Sequence, residues 1–191
     1  MDSPAESIAE IAALSARERR LIASYRGREM GMQPEPDKLA ALIDTVRALQ
    51  AAGMPYALIG GLAVGIHAAV PRATVDIDIA AHVGMGREVA VTALERAGLK
   101  KTGEFEHSVN FRHASGEPVQ LAFDPDFDAM IERAESFDVG GTSILVVSKQ
   151  DLITMKRRAA ADPSRRKSKR LRDQADVELL LGDVPDPDEG W

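Results

Sequence analysis

A chain of 191 residues, 45% hydrophobic and 28% charged, is long enough to bury one sizeable core and reads as a single globular domain with appendages. The absence of cysteine excludes a disulfide framework, a thiolate metal site and a cysteine nucleophile; no apolar run approaches the ~20 residues of a membrane span, and the opening MDSPAESIAE lacks the basic start and apolar middle of a secretory signal, so the expected location is cytoplasmic. The net charge of −6 hides a split, because residues 156–172 hold nine Lys or Arg and one acidic residue, Asp162, a local +8 against −14 elsewhere that points to an anionic partner.

In chain order, Ser3 with Glu6 frames a capping box with Pro4 at the first helical position, and Ser15 with Glu18 offers a second. Residues 3–30 therefore read as one long helix or two short ones. The apolar stripe of Ile8, Ile11, Leu14, Leu21, Ile22 and Tyr25 is thin, so this segment needs a surface to dock on, either the domain itself or another chain. MGMQPEP (30–36) is a linker. The expected organisation is a helical extension over 1–36, one domain over 37–181 and an acidic tail over 182–191.

Asp37 caps a stronger helix with Leu39, Leu42, Ile43, Val46 and Leu49 on one face, ended by Gly53. Residues 56–59 follow as a buried strand, Gly60-Gly61 turn into a short helix over 62–69, and Pro71 stops it. A strand over about 74–80 carries Asp76 and Asp78, and residues 86–97 form a helix closed by Gly98. Residues 109–113 and 118–123 flank the turn Ala114-Ser115-Gly116-Glu117 as a hairpin. A short helix near 127–134 precedes a second hairpin around Gly140-Gly141, with its outgoing strand over 143–147. Ser148 and Asp151 make a capping box for a helix through Lys156. The last helix, over 168–181, carries Leu171, Ala175, Leu179 and Leu180, and the tail GDVPDPDEGW has the composition of a disordered segment. No internal repeat is present. This order predicts an α+β fold, a small mixed β-sheet flanked by helices that cover it mostly from one side, with an N-terminal helical extension.

The stretch 58–81, LIGGLAVGIHAAVPRATVDIDIAA, carries the candidate chemistry. Asp76 and Asp78 alternate with Val75, Ile77 and Ile79, a period of two that sends both carboxylates to one face of a strand with Cα atoms about 6–7 Å apart. That spacing suits one hard cation, or two about 3.5–4 Å apart. Gly60-Gly61 sit where a strand gives way to a helix, a place where the backbone can approach a ligand and free N–H groups meet phosphate oxygens. Taken singly, a Gly-Gly is most often a tight turn and an Asp-x-Asp a solvated sheet face. An EF-hand is excluded by the strand-like alternation and the missing distal Glu.

Together, Ile59-Gly60-Gly61 and Asp76-Ile77-Asp78-Ile79 resemble the signature of the nucleotidyltransferase superfamily related to DNA polymerase beta. The wider phrase, with His67, Arg72, Thr74, Asp76 and Asp78, looks like the AbiEii-type nucleotidyltransferases of bacterial toxin–antitoxin and phage-defence systems. SKQDLITMKRRA and DQADVELLL are similar to that group's two downstream helices, so the resemblance spans roughly residues 40–181. It implies a nucleotidyltransferase fold and transfer of NMP from an NTP to a hydroxyl of an RNA (tRNA) or protein acceptor. Asp76 and Asp78 would hold Mg²⁺, in a two-metal arrangement and with Mn²⁺ as a substitute. Gly60 and Gly61 would cradle phosphates, Lys156 would add a charge to the β/γ-phosphates, and Arg72 would support carboxylates or phosphates. A cognate antitoxin is an implied partner.

Two departures accompany the resemblance. The spacer between the glycines and the aspartates is 14 residues, about one longer than usual, with Val70 as the extra residue. More consequential, the third carboxylate expected on a neighbouring strand, in PVQLAF, is Gln120. Asp124 shares that face by parity and is the candidate substitute; Glu117 is on the other face. His67 reads as a hydrogen-bonded packing residue, and His107 and His113 show no ligand spacing. In SRRKSKRLR, residues Arg165, Arg166, Lys167, Lys169 and Arg170 are candidates for contact with a nucleic-acid backbone, against the commoner fate of a solvated charge run. The alternative to an enzyme is a catalytically impaired relative serving as a nucleotide-, RNA- or partner-binding regulatory module, motivated by Gln120.

Overall fold

Asp37 sets the start of the first complete helix: its carboxylate accepts from the Ala40 N–H at 2.8 Å, and α1 runs Lys38–Ala51. A computed structural model describes residues 4, 6, 8–14, 37–70 and 72–183. The Ser15 capping box, the 30–36 linker, Pro71 and the tail beyond Asp183 lie outside the described residues. Residues 8–14 are helical, and Ile8 and Ile11 are fully buried. Ile11 Cδ1 lies only 2.7 Å from where a Cβ on Gly65 would stand, so this short segment docks on the domain of its own chain.

The remaining elements are β1 (Tyr56–Ile59), α2 (Gly60–Ala68), β2 (Ile77–Ala81), α3 (Arg87–Arg96), β3 (Lys100–Phe105), β4 (Ser108–Arg112), β5 (Pro118–Ala122), α4 (Asp128–Glu132), β6 (Glu135–Val139), β7 (Thr142–Val146), α5 (Lys149–Ala161) and α6 (Lys167–Leu181). One mixed sheet of seven strands runs in the order β3-β4-β5-β2-β1-β7-β6. β1 and β2 are antiparallel with Ile59 opposite Asp78, β2 and β5 are parallel with Asp78 opposite Gln120, and β4 and β5 pair Asn110 with Gln120.

The sheet departs from the sequence reading in three ways. It is larger than expected, because β3 joins it at one edge; KKTGEF has no apolar alternation and is exposed nearly throughout, so nothing in its pattern marks a strand. Helices also cover the centre on both faces, since every residue of β1 is buried and β2 nearly so, which a one-sided sheet does not allow. The β4–β5 end is one-sided: Val109, Phe111, Val119 and Leu121 are buried, while Ser108, Asn110, Gln120 and Ala122 are half-exposed, and β7 alternates likewise. Finally, the aspartate strand begins at Ile77, and Asp76 lies in the bend before it. α2 ends at Ala69, which takes the left-handed conformation at φ +54, ahead of Pro71.

α5 follows its expected cap. Ser148 Oγ accepts from the Asp151 N–H at 3.2 Å, and the helix continues one turn beyond Lys156, to Ala161. α6 differs from expectation on its inner face. Leu171 is 53% exposed and Ala175 is exposed, whereas Asp173, Asp176, Val177 and Leu180 are buried. No helix among the described residues is long and apolar enough to cross a membrane.

Candidate active site

The end of β1, the start of α2 and the start of β2 converge because β1 and β2 are antiparallel neighbours. Gly60 adopts φ +70, and a Cβ there would fall 2.1 Å from Asp78 Oδ2. Glycine is thus required twice, by the backbone angle and by the carboxylate lying against the main chain. A Cβ on Gly61 would sit 2.6 Å from Arg72 Nη1 and 2.7 Å from Thr74 Cβ, so the guanidinium lies directly against that turn. Thr74 Oγ1 reaches back to Asp76, 3.4 Å from its carbonyl and 3.5 Å from Oδ1.

A cavity of about 410 Å³ opens over this junction, lined by Gly60, Gly61, Arg72, Thr74, Asp76, Asp78 and Gln120 on one side and by Lys156, Arg165, Lys169, Arg172 and Asp173 on the other. Burial and the adjacent Asp76 carboxylate push Asp78 up to about 7, with Lys156, Arg72 and Lys38 pulling in the opposite direction. Two like charges, one of them in a poorly hydrated position, form a donor set that a divalent cation would relieve. They fit a hard-oxygen cation site completed by water. Among the described residues no cluster of three or more His, Asp or Glu is placed to hold a metal. Gln120 stands beside Asp78 in the sheet, where its Nε2 donates to Asn110 Oδ1 at 3.0 Å.

Asp124 does not join this cavity. The strand parity that linked it to Gln120 holds only if the strand continues, and β5 ends at Ala122, while Asp124 lies four residues beyond Gln120, about 13 Å at the rise of a strand. Its Oδ1 caps the turn after β5 by accepting from the Asp126 N–H at 3.0 Å, and it lines a neighbouring cavity with Phe127, Met155 and Arg158 that shares Arg165 with the carboxylate cavity.

The basic segment is divided by the helix it enters. Arg165 and Lys169 face the carboxylate cavity, as does Arg172, which the nucleic-acid reading had left out. Arg166 is the N-cap of α6, Lys167 is exposed, and Arg170 is half-buried, its Nε without a hydrogen-bond partner among the described residues. Sequence reading also missed Asp173 and Asp176. Asp176 takes a two-pronged bond from Arg72, at 2.8 and 2.9 Å, and holds Lys156 Nζ at 2.8 Å; Asp173 takes Lys156 Nζ at 2.8 Å and Arg165 at 3.1 Å. Lys156 and Arg72 are therefore fixed at the cavity wall and do not swing freely. His67 is a packing residue, its Nε2 2.7 Å from the Val147 carbonyl and its ring edge-on to Phe137.

No family profile matches the chain, and no curated protein does. Solved structures do match. The antibiotic-resistance factor ANT(2'')-Ia aligns with a TM-score of 0.56 at 16% identity over 76% of this chain and 85% of that one. The lincosamide antibiotic adenylyltransferase LnuA, lincomycin-bound, aligns at 0.55 and 15% over 79% of this chain and 99% of that one. An antigenic nucleotidyltransferase-like protein from Paracoccidioides brasiliensis aligns at 0.54 and 20% over 82% and 81%. With the seven-stranded mixed sheet, these likenesses show that the chain has the nucleotidyltransferase fold.

Proposed function

We propose that the chain is a divalent-cation-dependent nucleotidyltransferase that moves NMP from an NTP to an acceptor hydroxyl. One observation carries this reading: the carboxylate pair, the N-terminus of α2 and the cations of α5 and α6 all line a single cavity. Asp76 and Asp78 would hold Mg²⁺ or Mn²⁺, which when bound neutralises charge on the triphosphate. The two carboxylates and the Gln120 amide suit one tightly held ion better than two. Gly60 and Gly61 leave room for phosphate oxygens against the N–H groups that open α2. Lys156, held by Asp173 and Asp176, and Arg165, Lys169 and Arg172 supply positive charge to the same cavity, so Arg165 and Lys169 serve the triphosphate before any nucleic acid. Asp124 has no part in the reaction as proposed.

The acceptor is proposed to be an RNA, a tRNA in particular, or a protein, consistent with the AbiEii-like phrase around Arg72 and Asp76. A role in toxin–antitoxin or phage defence, a cognate antitoxin as partner and a cytoplasmic location belong to the same proposal. The two antibiotic-modifying structural neighbours make small hydroxylated molecules a further acceptor class to assay. The test is incubation with labelled NTPs, Mg²⁺ or Mn²⁺, and cell extract or pure acceptors. Label should pass to one acceptor class and be lost from Asp76→Ala with Asp78→Ala; transfer that survives the double substitution rejects this site.

Gln120 favours a second reading, a relative that binds nucleotide or partner without turnover. It lies in register with Asp78 where a proton-accepting carboxylate would be expected, and an amide takes no proton from a nucleophile. On that reading the wild type transfers nothing and Gln120→Asp gains transfer. If the wild type is the enzyme, Gln120→Asp raises the rate by no more than about tenfold, below the roughly 10²–10⁴-fold that a newly supplied general base contributes.

A further inference from the structure

We infer that Lys38 is a positioning residue that holds the Asp76-bearing bend in place beside Asp78, acting through its backbone rather than by touching substrate. Lys38 is fully buried at the first position of α1. Its Nζ donates to Glu117 Oε2 at 2.6 Å and to the Val75 carbonyl at 3.1 Å, and Glu117 is also fully buried. Val75 immediately precedes Asp76, and Glu117 immediately precedes β5, whose Gln120 pairs with Asp78. One ammonium thus ties three pieces together: the start of α1, the bend before β2 and the hairpin that delivers β5.

Stability alone is a poor reason for this arrangement. A cation in the first turn of a helix opposes the macrodipole, and the Asp37 cap is the acidic group of α1 that offsets it there. Full burial of a lysine–glutamate pair costs both partners their hydration, and apolar groups of similar volume commonly serve stability as well or better. What the pair supplies is geometry. Residues 72–76 carry no strand pairing, so the side of the bend facing α1 is fixed by the Lys38–Val75 bond, while the long Thr74 contacts hold Asp76 only weakly. Val75 itself is 65% exposed, so its own side chain does not anchor the bend.

The inference rests on the proposed cation site, and the experiment keeps the two apart. In the full chain, Lys38→Met with Glu117→Gln removes both charges at nearly constant volume. The variant should fold, keep its melting temperature, exchange amide hydrogens in residues 73–78 at least tenfold faster without metal, and bind Mn²⁺ at least tenfold more weakly by calorimetry. A folded double variant with wild-type exchange and wild-type Mn²⁺ affinity overturns the inference. If the wild type binds no Mn²⁺, the cation reading fails, and the exchange measurement alone decides whether Lys38 holds the bend. Should the double variant not fold, Glu117→Gln takes its place, since it leaves the ammonium on the Val75 carbonyl. The stripped ammonium lowers stability throughout, so exchange in 73–78 is read relative to β1 and β7: a ratio within threefold of wild type supports the proposal, and a selective loosening of the bend with the Val75 bond kept overturns it.

Discussion

A single methyl group at Gly60 would meet Asp78 Oδ2 at 2.1 Å, with the backbone already at φ +70. An L-residue in that conformation costs about 1–2 kcal/mol, and the overlap adds displacement of the carboxylate. Gly60→Ala should therefore lose Mn²⁺ affinity by well over tenfold in a titration while the far-ultraviolet circular dichroism stays that of the wild type. Gly61→Ala would meet Arg72 Nη1 at 2.6 Å and Thr74 Cβ at 2.7 Å, so both must shift, but unlike Gly60 its backbone angle suits any residue. Its effect should fall on NTP affinity and be smaller. At this scale the sequence was informative about identity and less so about placement. Gly-Gly and Asp-x-Asp could be read directly, and the resemblance pointed to Gln120 as the missing carboxylate. That Asp76 stands in a bend could not be read, because Val-Asp-Ile-Asp-Ile alternates as a strand does, whereas pairing begins at Ile77.

Helix α6 shows where periodicity misleads. The rule that the buried stripe is apolar selected Leu171 and Ala175, yet the inner face carries Asp173 and Asp176, because Arg72, Lys156 and Arg165 converge on it from elsewhere in the fold. Those partners are distant in sequence, so no local pattern announces them. The two carboxylates should differ in worth. Asp176 is 2% exposed and its Arg72 partner 12%, so Asp176→Asn leaves a buried guanidinium and ammonium short of charge and should cost about 3–5 kcal/mol in urea unfolding. Asp173 shares Lys156 with Asp176, and its Arg165 partner is 40% exposed and screened by solvent, so Asp173→Asn should cost clearly less. Equal losses would show that the pairings do not govern the stability of this corner.

For the molecule as a whole, the cavity stores an electrostatic cost that depends on pH. Asp78, raised from 3.8 to about 7, holds a proton in the folded chain that the unfolded chain has already released. Stability therefore falls as pH rises from roughly 4 to 7 through this group, and the penalty is complete above the folded value. Asp78→Asn removes it. In chelator, the variant should resist urea better than the wild type at pH 8, by on the order of 4 kcal/mol, with the gain shrinking toward pH 4. A gain independent of pH would mean that packing, not charge, is responsible. The overall architecture was legible where local signals were strong: α1 with its Asp37 cap, both hairpins, and the Ser148 cap of α5 stand within a residue or two of where they were expected. The extent of the sheet was not, because β3 is a polar edge strand and because burial on both faces of β1 depends on helices that arrive from far along the chain.

That distance bears on how the molecule comes into being. The meander β3-β4-β5 and the hairpin β6-β7 join strands adjacent in sequence and can form as soon as each is synthesised, but β1 waits for β7, pairing in parallel through Leu58 and Val146. Arg72 waits longer still, for an aspartate 104 positions downstream. Such non-local closure makes for slow folding. A nascent chain therefore exposes its aspartate bend and its guanidinium to the ribosome's surroundings until α6 has emerged, and that terminal helix is the piece whose arrival converts a collection of early hairpins into a cleft.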